Sequence, residues 1–251
     1  MTAPLLSVSN LTKAFGGLKA VDAVSFDVHA GELLALIGPN GAGKTTCFSM
    51  LNGQLRADSG SVRFESLELI GLKPREVWRL GVGRTFQIAA TFSSLTVREN
   101  VQMALLSHAQ RLFDWRARAS DAYVARANEL LDLVGMRDQA DRACSVLAYG
   151  DIKRLELAIA LANKPRLLLM DEPTAGMAPR ERVELMALTA DIARRESMAV
   201  LFTEHDMDVV FTHAERLIVL SRGHVIAQGA PAAVRADPEV QRVYLGSRSE
   251  H

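Results

Sequence analysis

Apolar and polar positions alternate over the first thirty residues, at Leu6 and Val8 and again at Val24, Phe26 and Val28. A period of two is that of half-buried strands, which predicts a small antiparallel sheet near the N-terminus. The alternation is lost at Leu33–Ile37, where every position is apolar, and a glycine-rich turn and a helical stretch, Lys44–Leu51, follow. Strand, loop and helix recur in that order, with strand-like runs at Val82–Phe86, Leu167–Met170, Ala199–Thr203 and Leu217–Leu220 separated by segments of helical length. Apolar runs without alternation imply strands covered on both faces, hence a mostly parallel sheet. From about Ile88 to Asn163 the strand signal is absent. Tyr123, Ala127, Leu130, Leu131 and Val134 fall there on one helix face, and Gly135 stands where that helix must stop. The expected fold class is α/β: a mostly parallel core from residues 1–87 and 164–251 with an N-terminal antiparallel β-subdomain, and an inserted α-helical subdomain over 88–163.

A chain of 251 residues, 49% of them apolar, suits one large domain with an insert and excludes disorder over most of its length. Twenty-nine basic residues balance twenty-nine acidic ones, so no charge footprint points to nucleic acid. Two cysteines, Cys47 and Cys144, make no disulfide framework, and the N-terminal residues lack the basic and apolar regions of a signal peptide. The longest stretch free of charged side chains, Thr85–Val97, has 13 residues. A membrane-spanning helix needs about 18 to 20 apolar ones, so any membrane role is expected to be peripheral.

Residues Gly38, Pro39, Asn40, Gly41, Ala42, Gly43, Lys44, Thr45 and Thr46 read GPNGAGKTT, between an apolar strand and a helix. This satisfies the P-loop pattern G-x-x-x-x-G-K-[ST] in the context that it requires. Glycines let backbone N–H groups curl around phosphate oxygens at the helix N-terminus, Lys44 bridges the β and γ phosphates, and the Thr45 hydroxyl ligates Mg²⁺. A P-loop alone does not separate kinases, GTPases and transport ATPases. Two further clusters narrow the choice. The run Leu167–Met170 ends in Asp171 and Glu172, placing one carboxylate to hold Mg²⁺ through its waters and the other to polarise an attacking water. Leu147, Ala148, Tyr149, Gly150 and Asp151 (LAYGD) open a helix expected over Ile152–Ala162, whose N-terminus suits a phosphate.

In this order and at these separations, the P-loop, LAYGD, LLLMDE and the downstream His205 resemble the ATP-binding cassette (ABC) family along essentially the whole chain. The resemblance implies the ABC ATPase fold, a P-loop core with ATP and Mg²⁺. It implies that Phe15 stacks on adenine, that Gln87 reaches the metal and water at the entry to the helical subdomain, and that His205 contacts the γ-phosphate. Residues 147–151 would serve the ATP of a second ATPase subunit. FGGLKAVDAVSF, GVGRTFQ, LTVRENV, EHDMDVV and VYLG look like the ATPase subunit of branched-chain amino acid importers. The implied partners are a second ATPase subunit, identical or paralogous, two membrane-spanning permease subunits and, indirectly, an extracytoplasmic solute-binding protein; the implied location is the cytoplasmic face of the inner membrane. Two positions depart from the family pattern. Ala148 stands where serine is usual, removing a hydroxyl contact to phosphate, and Ala178 stands where Asp or Asn is common.

Two rival classes remain. A soluble ABC ATPase would resemble this chain, although such proteins usually carry two cassettes or a long coiled-coil insert. A GTPase would need N-K-x-D, which Asn163, Lys164, Pro165 and Arg166 approach with arginine in place of the carboxylate. Glu204, His205, Asp206 and Asp208 mimic a metal cluster, but adjacent strand-end and helix-start residues point in different directions. Asp206 reads as a helix N-terminal charge, Asp208 as a solvated first-turn residue and Cys47 as a buried filler. Arg111, Arg116, Arg118 and Arg126 read as a solvated helical face and Arg235–Leu245 as a packed terminal helix.

Overall fold

The computed structural model describes residues 3–85, 91–109 and 123–246. The chain opens with strands β1 (Leu6–Phe15), β2 (Leu18–Val28) and β3 (Leu33–Ile37), then α1 (Lys44–Leu51), β4 (Ser59–Phe64), β5 (Leu67–Glu68), α2 (Pro74–Arg79) and β6 (Val82–Thr85). Helices α3 (Val97–His108), α4 (Val124–Leu133) and α5 (Tyr149–Ala160) follow. The rest is β7 (Leu167–Asp171), α6 (Pro179–Glu196), β8 (Ala199–Thr203), α7 (Met207–His213), β9 (Arg216–Ser221), β10 (His224–Gly229), α8 (Pro231–Ala236) and α9 (Pro238–Gly246).

The alternating N-terminal strands form the expected antiparallel sheet, in the order β2-β1-β4-β5. The second sheet has the order β10-β9-β3-β8-β7-β6, parallel throughout except for the β9–β10 hairpin. Its central strands feed two cores. On β3, Leu33, Ala35 and Ile37 pack with α3 to α6, whereas Leu34 and Leu36 pack with α1 and the antiparallel sheet. The same division holds for Leu168 and Met170 against Leu167 and Leu169 on β7, and for Val200 and Phe202 against Ala199 and Leu201 on β8. Both faces are buried, which is why these strands read as continuous apolar runs. Each fully buried Leu or Val contributes roughly 1.5–3 kcal/mol, so the strand ends that carry the polar residues are rigidly held.

Helix α4 ends as expected. Gly135 takes φ +69°, and the bonds Met136 N–H to Leu131 O (2.8 Å) and Gly135 N–H to Asp132 O (3.1 Å) close a Schellman turn. Two boundaries differ from expectation. Helix α5 starts at Tyr149 because Ala148 is extended (ψ 155°) while its carbonyl already accepts from Ile152 N–H, so Tyr149, Gly150 and Asp151 form its first turn. The C-terminal segment is two helices. Pro238 holds Asp237 in an extended conformation, and the Asp237 carboxylate caps α9 by accepting from Glu239 N–H (2.8 Å).

Cys47 in α1 is fully buried, and desolvation pushes its thiol up to about 12. At pH 8 the thiolate is therefore scarce. Peptide mapping after iodoacetamide treatment is expected to find Cys47 unmodified in the native chain and alkylated after denaturation; rapid native labelling at pH 8 would contradict the burial.

Candidate nucleotide site

Two P-loop glycines are required by close backbone approach. A Cβ on Gly38 (φ +155°) would lie 2.2 Å from the Leu220 carbonyl oxygen, and one on Gly43 (φ +106°) would lie 2.3 Å from the Ala20 carbonyl oxygen. The second contact seats the start of β2 on the P-loop, which brings the β1–β2 hairpin and Phe15 alongside. Phe15 is 51% exposed, with the Lys13 ammonium 5.7 Å from its ring centroid. Lys44 is buried, and its Nζ donates to the carbonyls of Gly38 (2.7 Å) and Pro39 (3.2 Å). Burial pushes its pKa down, while the charges of Glu172 and Asp171 oppose that shift. Asn40, Gly41 and Thr45 are exposed, Pro39 and Thr46 are half-buried, and Ala42 is buried with its N–H on Pro39 O (3.1 Å).

Asp171 ends β7 opposite Thr203 of β8. The Thr203 hydroxyl donates to Asp171 Oδ1 at 2.8 Å, and Arg84 of β6 places its guanidinium 3.8 Å from Asp171 Oδ2. Glu172 adopts φ +49°, a left-handed conformation that costs a non-glycine residue on the order of 1–3 kcal/mol. Its N–H donates to both the hydroxyl (3.0 Å) and the carbonyl (3.2 Å) of Thr203, which hold the strained turn in place. The Glu172 carboxylate meets His205 Nε2 at 2.8 Å. An ionised carboxylate can only accept, so Nε2 carries the hydrogen. Thr45 and Asp171 supply oxygen alone, the donor chemistry suited to Mg²⁺ shared with substrate phosphates.

The LAYGD residues, at the start of α5, pack against Gly176 of the segment that joins β7 to α6 and against Glu181 in the first turn of α6. A Cβ on Gly150 would lie 3.0 Å from the Glu181 carboxylate, and one on Gly176 would lie 3.3 Å from the Tyr149 ring. Gly150 is buried, Leu147 and Asp151 are half-buried, Ala148 is exposed, and Val146 and Tyr149 are 60% and 45% exposed. Gln87, Arg111, Arg116 and Arg118 lie outside the described residues.

The structure thus gathers Lys44, Asp171, Glu172 and His205, exposes Phe15 on the hairpin whose Ala20 touches the P-loop, and packs Gly150 against Glu181. Glu204, His205 and Asp206 diverge as expected: Glu204 bonds Thr174, His205 bonds Glu172, and Asp206 pairs with Arg182 (2.9 Å) while capping α7. Sequence reasoning missed the supporting roles of Thr203, Arg84, Glu204 and Glu181. Polar residues ending or interrupting a buried strand were the available signal for the first two.

A family model described as "ABC transporter" matches residues 21–175, and one described as "Branched-chain amino acid ATP-binding cassette transporter" matches residues 224–250. The chain belongs to the ABC transporter family. It is therefore an ATPase built on the ABC cassette fold. The cassette is 39% identical to the High-affinity branched-chain amino acid transport ATP-binding protein LivG of Escherichia coli, covering 98% of this chain and 99% of the relative. It is 38% identical to BraF of Pseudomonas aeruginosa, a protein of the same description, with the same coverage. Among solved structures it is similar to the ADP conformation of MJ1267, an ATP-binding cassette of an ABC transporter, at TM-score 0.87 and 30% identity over 98% of this chain and 100% of that one. It is also similar to the dimeric post-hydrolysis state of the cassette MJ0796 bound to ADP and Pi, at TM-score 0.76 and 26% identity over 90% of this chain and 98% of that one.

Proposed function

We propose that this cassette works in pairs, identical or paralogous, on two membrane-spanning permease subunits at the cytoplasmic face of the inner membrane. Its ATP hydrolysis would drive uptake of a branched-chain amino acid or a related small polar solute delivered by an extracytoplasmic binding protein. That LivG and BraF are branched-chain amino acid transport ATP-binding proteins supports the solute class. The observation that carries the enzymatic reading is the juxtaposition of Glu172 with His205 beside Asp171 and Lys44. Lys44 leaves the two carbonyls to bridge the β and γ phosphates of ATP, and Phe15 stacks on adenine. Thr45, Asp171 and Gln87 would hold Mg²⁺, which when bound would offset charge on the phosphates. Glu172 accepts a proton from water as the water oxygen bonds the γ-phosphorus and the bond to the β–γ bridging oxygen breaks, releasing ADP and inorganic phosphate. His205 orients that carboxylate and then the γ-phosphate.

Residues 1–87 and 164–251 act as the core and 88–163 as the helical subdomain. Gly150 N–H and the α5 dipole serve the ATP held by the other chain, without the hydroxyl that Ala148 lacks. The outward-facing Val146 and Tyr149 support that pairing. Phosphate release per chain is accordingly expected to rise with protein concentration or on assembly. Full activity in a strictly monomeric preparation at every concentration would refute the two-chain mechanism.

A groove of about 330 Å³ between α2, β6, α3 and α5, with apolar walls from Val77, Trp78, Val82, Ala104 and Ile159, supports docking of a permease segment on the helical side. A photo-crosslinker at Ala104 is expected to capture a membrane subunit. Crosslinks that instead form only from the N-terminal sheet would move the dock there.

A further inference from the structure

The Glu204 side chain has no part in the reaction described above, yet it is 4% exposed and accepts three hydrogen bonds. Its Oε1 receives both the backbone N–H (2.9 Å) and the hydroxyl (2.7 Å) of Thr174, and its Oε2 receives the backbone N–H of His205 (3.2 Å). All three donors are neutral. Burying a carboxyl group is costly unless its hydrogen bonds are made, so filling space is a poor explanation for it. What the side chain does is join two segments. Thr174 lies two residues beyond Glu172 and is itself 1% exposed, and His205 holds the Glu172 carboxylate. A second strap runs parallel: Arg182 donates to Met177 O (2.8 Å) and to Asp206 (2.9 Å).

We propose that Glu204 is a positioning residue for hydrolysis, locking the loop that follows Glu172 to the backbone of His205 so that base and histidine keep one geometry. The proposal rests on Glu172 being the general base. It predicts a specific failure for Glu204→Gln. Both oxygens face backbone donors, so whichever way the amide turns, its NH₂ confronts the N–H of Thr174 or of His205 and one strand of the strap is lost. Misplacing a catalytic group by about 1 Å costs up to about 10²-fold in rate.

Phosphate release and ATP dependence are measured for Glu204→Gln, Thr174→Val, Thr174→Ser and the double variant Glu204→Gln/Thr174→Val. The expected result is a fall in kcat of about 10- to 100-fold for Glu204→Gln with KM for ATP within about twofold, since a positioning loss felt only in the transition state leaves ground-state binding alone. Thr174→Val is expected to lower kcat in the same sense, Thr174→Ser to restore it, and the double variant to be no slower than the slower single, because both changes cut one strap. Thr174→Val decides the matter if Glu204→Gln does not fold. Parental kcat in both Glu204→Gln and Thr174→Val, a KM increase matching the loss in kcat, or multiplicative effects in the double variant would each overturn the proposal. Glu172→Gln measured in parallel separates the failures: if it hydrolyses at the parental rate, the assignment of the base is wrong, whereas an inactive Glu172→Gln beside a fully active Glu204→Gln removes only Glu204.

Discussion

Glu172→Gln is expected to bind ATP as the parent does and to hydrolyse it about 10² to 10⁴ times more slowly, the usual effect of removing a general base. The substitution is conservative where the structure is demanding. The backbone at φ +49° is held through the Glu172 N–H by Thr203, which the side-chain change leaves intact. The amide oxygen still accepts from His205 Nε2, so the position survives and only the basicity is lost. With the γ-phosphate retained, two chains are expected to stay closed around unhydrolysed ATP, because that phosphate binds the closed state and not the open one. Size-exclusion chromatography with ATP and Mg²⁺, run beside a phosphate-release assay, checks both halves. A protein that stays monomeric and hydrolyses ATP at the parental rate would exclude Glu172 and send the search for the base to His205 or to the substrate itself. Asp171→Asn is expected to differ, raising the Mg²⁺ concentration needed for half-maximal activity, since Asp171 is buried between Thr203 and Arg84 as an oxygen donor.

Lys44→Ala is expected to lose tight ATP binding. Hydrogen bonds to charged groups contribute about 1.5–3 kcal/mol, so affinity falls by roughly 10- to 100-fold from the lost phosphate contact alone. The local charge makes the loss larger. Lys44 faces the carboxylates of Asp171 and Glu172, and without it a triphosphate approaches two anions with one fewer compensating cation. Titration with a fluorescent ATP analogue measures the effect, with circular dichroism to confirm folding. Affinity equal to that of the parent in a folded variant would remove Lys44 from the phosphate site.

Local patterns carried much of this protein. The central strands of the parallel sheet were legible as apolar runs because burial on both faces leaves few polar positions, and β3, α1 and β8 match the expected spans, whereas the edge strand β10, half-exposed and carrying His224 and Gln228, gave no such run. The P-loop was legible from the spacing of its glycines, lysine and threonine, although the carbonyls that demand glycine at 38 and 43, those of Leu220 and Ala20, are brought there by the fold. Asp171 and Glu172 were legible because charge at the end of a buried strand has to emerge at the sheet edge. Helix boundaries at Tyr149 and Pro238 were misjudged where one residue's backbone angle, rather than a periodic pattern, sets the end. What holds the site together was decided by the tertiary fold. Thr203 reaches Asp171 across 32 residues of sequence only because β7 and β8 are adjacent and in that register. Arg84 lies near Asp171 because β6 is the next strand, and Glu204 meets Thr174 because both leave the same sheet edge. Spacing along a chain encodes which face a residue takes; strand order and register, which come from the packing of the two cores together, determine which side chains meet there.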